Sequence, residues 1–311
     1  MSTSSAAPYE PTHVSPRETS VREISPFQQL FWSVQRELWE NRSIYLVPLA
    51  AAAVALFGFI VSPFGLRKLG TFTQLETSPL RQSVAGPYDA VAGVIMLSGM
   101  IVSIVYCLDA LYGERRDRSI LFWKSLPVSD GTTVLAKAAI PLLVLPVVIF
   151  ATTVVTQLMM LLLSSAVLLS YHFSVSPLWS LLAPFRMWWM LLYHLFAVHA
   201  LWYAPLYAWL LLVSAWARRT PFLWAFLPPL AVGIFEKIVW NTTHLAEMLR
   251  NRLSGGTEGV THATPGAMPL DPGMNIALGS YLGAAGLWIG LIIAALFIGL
   301  CVRLRRYREP I

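Results

Sequence analysis

Residues 113–130 read GERRDRSILFWKSLPVSD, a charged segment that separates two long apolar stretches. A run of charged side chains at 114–118 opens this segment, and an apolar run follows it. Pro127 ends any helix here because proline has no backbone N–H, and Ser129 or Asp130 can cap the next helix with a side-chain oxygen. The pattern predicts a short helix across a membrane surface. An ordinary basic loop is the alternative.

Composition places this segment in a membrane protein. The chain has 311 residues, of which 56% are hydrophobic and only 12% are charged, and its mean hydropathy is +0.62. This is more apolar sequence than one soluble core can bury. The net charge of +6 comes mainly from basic residues at the ends of apolar segments, so we expect no nucleic-acid partner. The fold class predicted is an all-α membrane protein.

The N-terminal part has two predicted regions. Residues 1–24 are rich in Ser, Thr, Pro and Glu, which predicts a disordered cytosolic tail. Residues 25–43 are predicted to form an amphipathic interfacial helix with Ser25 as its N-cap and Pro26 as its first residue. Its apolar side chains either enter the lipid headgroup region or pack on the bundle: Phe27, Leu30, Phe31, Val34 and Leu38.

Six apolar segments are each long enough to cross a bilayer. Pro141 and Pro146 are expected to kink the third segment, and Pro205 interrupts the fourth. An extracytoplasmic loop is predicted at 241–275, with a short amphipathic helix near Leu245 and Leu249, and a polar loop is predicted at 62–87. The transmembrane domain covers 44–311, and its six predicted spans are 44–61, 88–111, 134–170, 187–216, 222–240 and 276–302.

Basic residues are concentrated in the N-terminal helix, in 113–130, in the Arg218-Arg219 turn and in the C-terminal tail. Loops rich in Lys and Arg stay on the cytosolic side of a membrane. Six crossings put both termini on that side. We therefore expect a multi-pass protein with both termini in the cytosol.

The order of these features resembles the membrane subunits of ABC-2-type transporters. The resemblance rests on Leu111-Tyr112-Gly113 at a span end, Glu114-Arg115-Arg116, Ser119-Ile120-Leu121, Ser125-Leu126-Pro127-Val128-Ser129, and a second span after Lys137. It implies that 113–130 is a coupling helix in a groove of a separate ABC ATPase subunit. It also implies a homodimeric export permease in the bacterial cytoplasmic (inner) membrane, with ATP and Mg²⁺ bound by the partner ATPase and no cofactor in this chain.

Eight residues of the segment are the candidate ATPase contacts. We expect the charged end to lie at the rim of the interface and the apolar part to fill the groove, because buried aromatic anchors supply most interface energy. The opposite arrangement, with the charged end docking and the aromatic side chains in the bilayer, stays open. The eight residues are Glu114, Arg115, Arg116, Arg118, Ile120, Phe122, Trp123 and Leu126.

A second set of residues is a candidate translocation path. Hydroxyl, amide and phenol groups within the third and fourth spans can line a path for an amphiphile. These candidates are Thr152, Thr156, Gln157, Tyr203 and Tyr207. Membrane lipid is a further expected partner of the chain.

Motifs for catalysis and metal binding are not found in the sequence. No Gly-x-x-x-x-Gly-Lys-Ser/Thr phosphate loop and no Gly-x-Ser-x-Gly occurs, so we expect a transport subunit without catalytic residues. His194 and His199 are five residues apart, about 140° around an α-helix, so we expect them on different faces and predict no metal site. An ion-coupled carrier or a membrane-embedded lipid-modifying enzyme is the alternative.

Two further features of the spans are expected to be structural. Asp109 is expected to pair with Arg115 or Arg116 near the cytosolic end of the second span. In the sixth span, Gly279, Gly283, Gly286 and Gly290 form small-x-x-x-small pairs, which let helices approach closely.

Overall fold

The computed structural model describes residues 25–61, 77–124, 128–254 and 282–307, and all regular secondary structure in these ranges is helical. Six of the helical segments are long and apolar enough to cross a membrane. The chain is therefore an all-α, multi-pass membrane protein, as its sequence predicts. The predicted tail at 1–24, residue Leu126 and most of the predicted loop at 241–275 lie outside the described residues.

Thirteen helices are present in the described ranges, together with two π-helical segments that interrupt the third and fourth spans. In a π-helix, each N–H bonds the carbonyl five residues earlier. The elements are α1 (Pro26–Glu40), α2 (Ser43–Val61), α3 (Thr77–Asp109), α4 (Tyr112–Arg116), α5 (Ser119–Lys124), α6 (Asp130–Ala139), π1 (Ile140–Val144), α7 (Leu145–Ser170), α8 (Ser176–Leu182), α9 (Pro184–His194), π2 (Leu195–Trp202), α10 (Ala204–Trp216), α11 (Pro221–Trp240), α12 (His244–Leu253) and α13 (Ala285–Tyr307).

Helix α1 begins as its sequence predicts. Ser25 Oγ accepts a hydrogen bond from Gln28 N at 3.4 Å, and Pro26 is the first helical residue. One face of α1 packs against α6 and buries Ser33 and Glu37. The opposite face is exposed and aromatic, and it carries Phe27, Phe31, Trp32 and Trp39.

Three spans differ in their boundaries from the sequence prediction. The fourth was predicted over 187–216, but the candidate span is Ser176–Trp202, and the shorter apolar helix Ala204–Trp216 follows it. Helix α3 begins at Thr77, so 77–87 is helical and does not belong to a loop. The last span begins at Ala285 instead of 276, and residues 276–281 lie outside the described part of the chain. Hydropathy marks the part of a helix that crosses hydrocarbon, and it does not detect polar turns that extend a helix further.

The third span consists of α6, π1 and α7. Ser129 Oγ caps α6 by accepting a hydrogen bond from Thr132 N at 3.0 Å. Pro141 lies in π1, where its missing N–H interrupts the α-helical pattern, and Pro146 lies in the first turn of α7, where a missing donor is tolerated. The chain has a similar interruption between α9 and α10, and π1 packs directly against π2.

Most of the apolar core lies in two clusters. One cluster joins α2, α3, α7 and α9 around Tyr88, Met160 and Leu191. The other joins α3, α6, α10 and α13 around Cys107, Val134 and Leu211. This second cluster lies beside the charged segment that connects α3 to α6.

Candidate functional site

Helix α4, at the start of the charged segment, is attached to the end of α10. Ser214 Oγ accepts hydrogen bonds from Leu111 N at 3.0 Å and from Tyr112 N at 2.9 Å, which satisfies donors at the start of α4. Arg115 Nη2 donates to Ser214 O at 2.7 Å and to Ala217 O at 2.6 Å. Arg115 is only 4% exposed. Its guanidinium therefore joins α4 to the end of α10 from within the protein.

Glu114, the neighbour of Arg115, connects α4 to three other helices. Its Oε1 lies 3.1 Å from Lys137 Nζ in α6 and 3.9 Å from Arg36 Nη2 in α1. Its Oε2 accepts a hydrogen bond from Arg305 in α13. Because Glu114 is 9% exposed, these charge-assisted contacts are shielded from water.

Lys137 has a second acidic partner in α1. Its Nζ donates to Glu37 Oε1 at 2.8 Å, and Tyr106 Oη and Arg36 Nη2 donate to the same carboxylate at 2.8 Å and 2.9 Å. Burial by itself would raise the pKa of Glu37, but the charge of Lys137 and these hydrogen bonds outweigh it. The pKa of Glu37 therefore lies below its ordinary value of 4.5.

Arg305 extends the cluster to the start of α6, where its Nε donates to Asp130 Oδ1 at 3.1 Å. Six charged groups thus form what we call the buried charge network. It contains three carboxylates and three cations, and Arg36 also pairs with the exposed Glu40, whose Oε1 lies 3.6 Å from Arg36 Nε. Its members are Glu37, Glu114, Asp130, Arg36, Lys137 and Arg305.

The eight candidate ATPase contacts fall into three groups. Glu114, Arg115 and Ile120 are buried within the chain. Arg116, Arg118 and Phe122 are exposed on the surface of the segment. The Trp123 side chain and Leu126 lie outside the described structure.

The exposed group is held in a defined turn. Arg116 Nε lies 2.9 Å from Asp117 Oδ1, and Arg116 Nη1 lies 4.0 Å from Asp109, the pairing expected from the sequence. Arg118 has φ of 57°, a left-handed conformation that separates α4 from α5. The hydrogen bond from Arg116 lowers the pKa of Asp117, so this carboxylate stays charged.

Most contacts of the buried charge network were not predicted from the sequence. Glu37 is 100 residues away in sequence from its partner Lys137, and Glu114 is 191 residues away from its partner Arg305. One signal was available: an ionisable residue within or beside a span needs a buried partner. That signal marks Lys137 but does not identify its partner.

The candidate path residues do not form one lining. Gln157 Nε2 donates to Tyr88 O and Gln157 Oε1 accepts from Trp188 Nε1, both at 3.1 Å, so this buried amide joins α7 to α3 and α9. Thr156 Oγ1 donates to Thr152 O at 2.7 Å within α7. All three of these residues are buried between helices.

Tyr203 and Tyr207 lie elsewhere, along an apolar cavity of about 560 Å³ between α3, α10, α11 and α12. Tyr203 Oη donates to Leu253 O at 2.8 Å, which attaches the end of α12 to the start of α10. The two tyrosine rings are in edge contact, with their centroids 6.5 Å apart. These two of the five candidates therefore share one cavity.

The expectation for His194 and His199 is wrong in its geometry. Their ring centroids are 5.8 Å apart in an edge contact. The expected separation of 140° holds for an α-helix. In π2 the backbone hydrogen bonds join residues five apart, and this brings the two rings to the same face. Within the described ranges, no three His, Cys, Asp or Glu side chains are grouped as metal ligands.

Comparison of the chain with protein-family models, with curated proteins and with solved structures finds no match. Any assignment of function therefore has to come from the sequence pattern and from the contacts within the chain.

Proposed function

We propose that this chain is the membrane subunit of an ABC-2-type exporter. It works as a homodimer with a separate ABC ATPase, which binds ATP and Mg²⁺. The observation that carries the proposal is the position of α4, because Glu114 and Arg115 bind it to α1, α6, α10 and α13 together. A displacement of α4 by a partner protein is transmitted directly to four helices of the bundle.

The exposed part of the charged segment is the proposed ATPase contact. Glu114 and Arg115 point into the protein, so Phe122, Arg116 and Arg118 are the described side chains that a partner can reach. Phe122 is 61% exposed, and it is the large apolar side chain that the described part of the charged segment presents on its surface. We propose that it is an anchor and that the two arginines are rim contacts.

The proposed orientation follows from charge. The buried charge network lies at the same end of the bundle as α4, and the basic turn Arg218-Arg219 follows α10 at that end. The positive-inside rule assigns this end to the cytosol. We propose that both termini then lie in the cytosol, and the resemblance to ABC-2-type transporters implies the bacterial cytoplasmic membrane.

A pull-down with the ATPase encoded beside this chain tests the proposal. Phe122→Ala is expected to weaken association at both low and high salt, by about 2 kcal/mol or a roughly 30-fold loss of affinity, because a buried aromatic anchor is removed. Arg118→Ala is expected to weaken association only at low salt, because rim charges act mainly on the association rate.

Phe57→Ala is the matched control, since this phenylalanine is 67% exposed on α2 and lies outside the charged segment. The opposite ranking of Phe122→Ala and Arg118→Ala would show that the charged end is the anchor. Normal binding by both variants would remove the main support for an ATPase-coupled exporter, and an ion-coupled carrier would then be preferred.

A further inference from the structure

Helix α11 is attached to the rest of the bundle mainly near its two ends. Only 6% of its most apolar window is buried. In its first half, Trp209 Nε1 donates to Ala225 O at 3.1 Å, replacing the helical hydrogen bond that Pro229 cannot donate. At its far end, Glu236 accepts hydrogen bonds from His244 N at 2.7 Å and from Leu245 N at 3.0 Å, which caps α12.

Between these attachments, a groove of about 1010 Å³ separates α11 from α10, α12 and α13. Its walls on α10, α11 and α13 are apolar. Residues 228–232 of α11 form one wall, and because they lie in the middle of a 20-residue span, the groove is at the depth of the hydrocarbon. The facing walls carry Leu206 and Trp209 of α10 and Ile289, Ile293 and Phe297 of α13.

One side of this groove is polar. Helix α12 lines it with His244, Glu247, Asn251 and Arg252. The guanidinium carbon of Arg252 lies 4.4 Å from the centroid of the Trp202 ring, and its Nη1 donates to Gly286 O at 3.1 Å. Gly290 makes room for this side chain, because a methyl group there would overlap Arg252.

We propose that this groove binds one membrane phospholipid, with an acyl chain between α11 and α13 and its phosphate beside Arg252. The apolar walls match a hydrocarbon tail, and the Arg252 guanidinium matches the phosphate of the head, while Glu247 on the same side can face a cationic part of the headgroup. This inference rests on the membrane location of the chain and does not depend on the proposed ATPase partner.

The other apolar occupant is a helix from a second copy of the chain. Each span of the chain carries at most two Asp, Glu, Lys or Arg side chains in its apolar window, so it offers little to pair with Arg252, whereas a phospholipid places a phosphate there. An acyl chain is also thinner than a helix and can bend to follow the proline-containing wall of α11.

The contact between Arg252 and the lipid phosphate determines whether a lipid stays in the groove longer than it stays at an ordinary position next to the protein. Hydrocarbon tails gain no hydrophobic free energy by moving from one apolar environment to another. Specific retention therefore has to come from close packing in the groove and from charge-assisted contacts at the phosphate. Loss of the Arg252 charge should therefore release the lipid.

The test uses the full chain in nanodiscs that contain phosphatidylglycerol with a diazirine near the end of its acyl chain. After illumination, mass spectrometry should map adducts to α11 and α13. Ile293→Trp, which fills the groove, should reduce these adducts at least fivefold. Ile292→Trp is the matched control, because Ile292 lies next to Ile293 in sequence, is 61% exposed and does not line the groove.

Val232→Trp on the opposite wall, with Val239→Trp as its control, keeps the test decisive if Ile293→Trp does not fold. In a second measurement, phospholipid that remains with the protein after detergent washing is quantified. The wild-type chain should retain about one molecule, Arg252→Gln should lose most of it, and Arg250→Gln should keep it, since Arg250 does not line the groove.

Two outcomes would overturn the proposal. Equal adduct yields in the groove-filling variants and their controls would mean that only bulk lipid is sampled. Crosslinks from the groove walls to a second copy of the chain would mean that a protein helix occupies the site.

Discussion

At Lys137, one ammonium group lies between two buried carboxylates, 2.8 Å from Glu37 Oε1 and 3.1 Å from Glu114 Oε1. Replacement of one member of a buried ionic cluster leaves its partners buried without compensation, which typically costs 3–5 kcal/mol. Lys137→Met should therefore lower the melting temperature in detergent by roughly 6 °C or more. Scanning fluorimetry of the purified protein measures this change.

The matched control for Lys137→Met is Arg116→Ala, which removes a cation from an exposed pair with Asp117. Water screens this pair, so its loss should leave the melting temperature unchanged. Equal melting temperatures for wild type and Lys137→Met would show that the buried charge network does not hold the helices together. The transmission route through α4 would then lose its physical basis.

Glu37 gives the same network a dependence on pH. Its pKa is lowered in the folded chain, so the carboxylate contributes stability above its ordinary pKa of 4.5 and loses that contribution as the pH falls through the lower, folded value. Acid should therefore destabilise the wild-type chain more than Glu37→Gln. Melting temperatures from pH 7 down to pH 3 compare the two, and parallel curves would contradict the assignment.

Among the elements, helices and their ends were predictable where residues close in sequence determine them. Ser25 was expected as the cap of α1, and Ser129 or Asp130 as the cap of α6; Ser25 and Ser129 are the caps, because a cap depends on residues three positions away. The short helix α12 was expected from the spacing of Leu245 and Leu249. The start of α3 at Thr77 was missed, because its polar first turns look like a loop.

The π-helical segments could not be predicted from local pattern. Pro141 predicts an interruption near π1, but it does not determine whether the chain kinks or adopts a π-helix. Nothing in the sequence between His194 and Tyr203 indicates the extra residue per turn in π2. The two π-helical segments pack against each other, and the periodicity of apolar residues in the sequence does not reveal such tertiary packing.

The register of π2 can be measured directly. His194→Cys with His199→Cys should form a disulfide rapidly under mild oxidation, because the native rings are only 5.8 Å apart and a π-helix stacks residues five apart. In an α-helix the same two Cα atoms would be about 8.6 Å apart, beyond the range of a disulfide. Mass spectrometry after alkylation reports the bond.

A pair with equal spacing in regular α-helix controls this experiment: Leu158→Cys with Leu163→Cys in α7. That pair should stay reduced under the same conditions. Cys107 and Cys301 are buried and can be replaced by Ala so that no other thiol takes part. If both engineered pairs stay reduced, π2 is an ordinary α-helix in the membrane.

For the whole molecule, the six-span architecture follows from composition, since each of the six predicted apolar segments overlaps one of the six candidate spans. The packing of the spans does not follow, because side chains in lipid gain little by choosing one apolar neighbour over another. The specific contacts come from polar groups far apart in sequence, such as Glu114 with Arg305 and Gln157 with Trp188. Their partners can be identified only from the folded chain.

The final prediction concerns the orientation of the chain. Arg115 bonds Ala217 O, so α4 and the Arg218-Arg219 turn lie at one end of the bundle, and α11 runs for 20 residues from there to Asn241 at the other end. A membrane-impermeant maleimide should label Asn241→Cys in intact cells. Arg118→Cys and Arg219→Cys should react only after the cells are permeabilised, because the positive-inside rule places their end in the cytosol.

All three positions are exposed in the folded chain, so differences in labelling report the side of the membrane and not burial. A detergent-solubilised sample, in which all three thiols should react equally, controls for local reactivity. Labelling of Arg118→Cys from outside intact cells, with protection of Asn241→Cys, would invert the chain. The charged segment would then face away from the cytosol, where no ATPase could reach it, while the buried charge network would still hold α4 to the bundle.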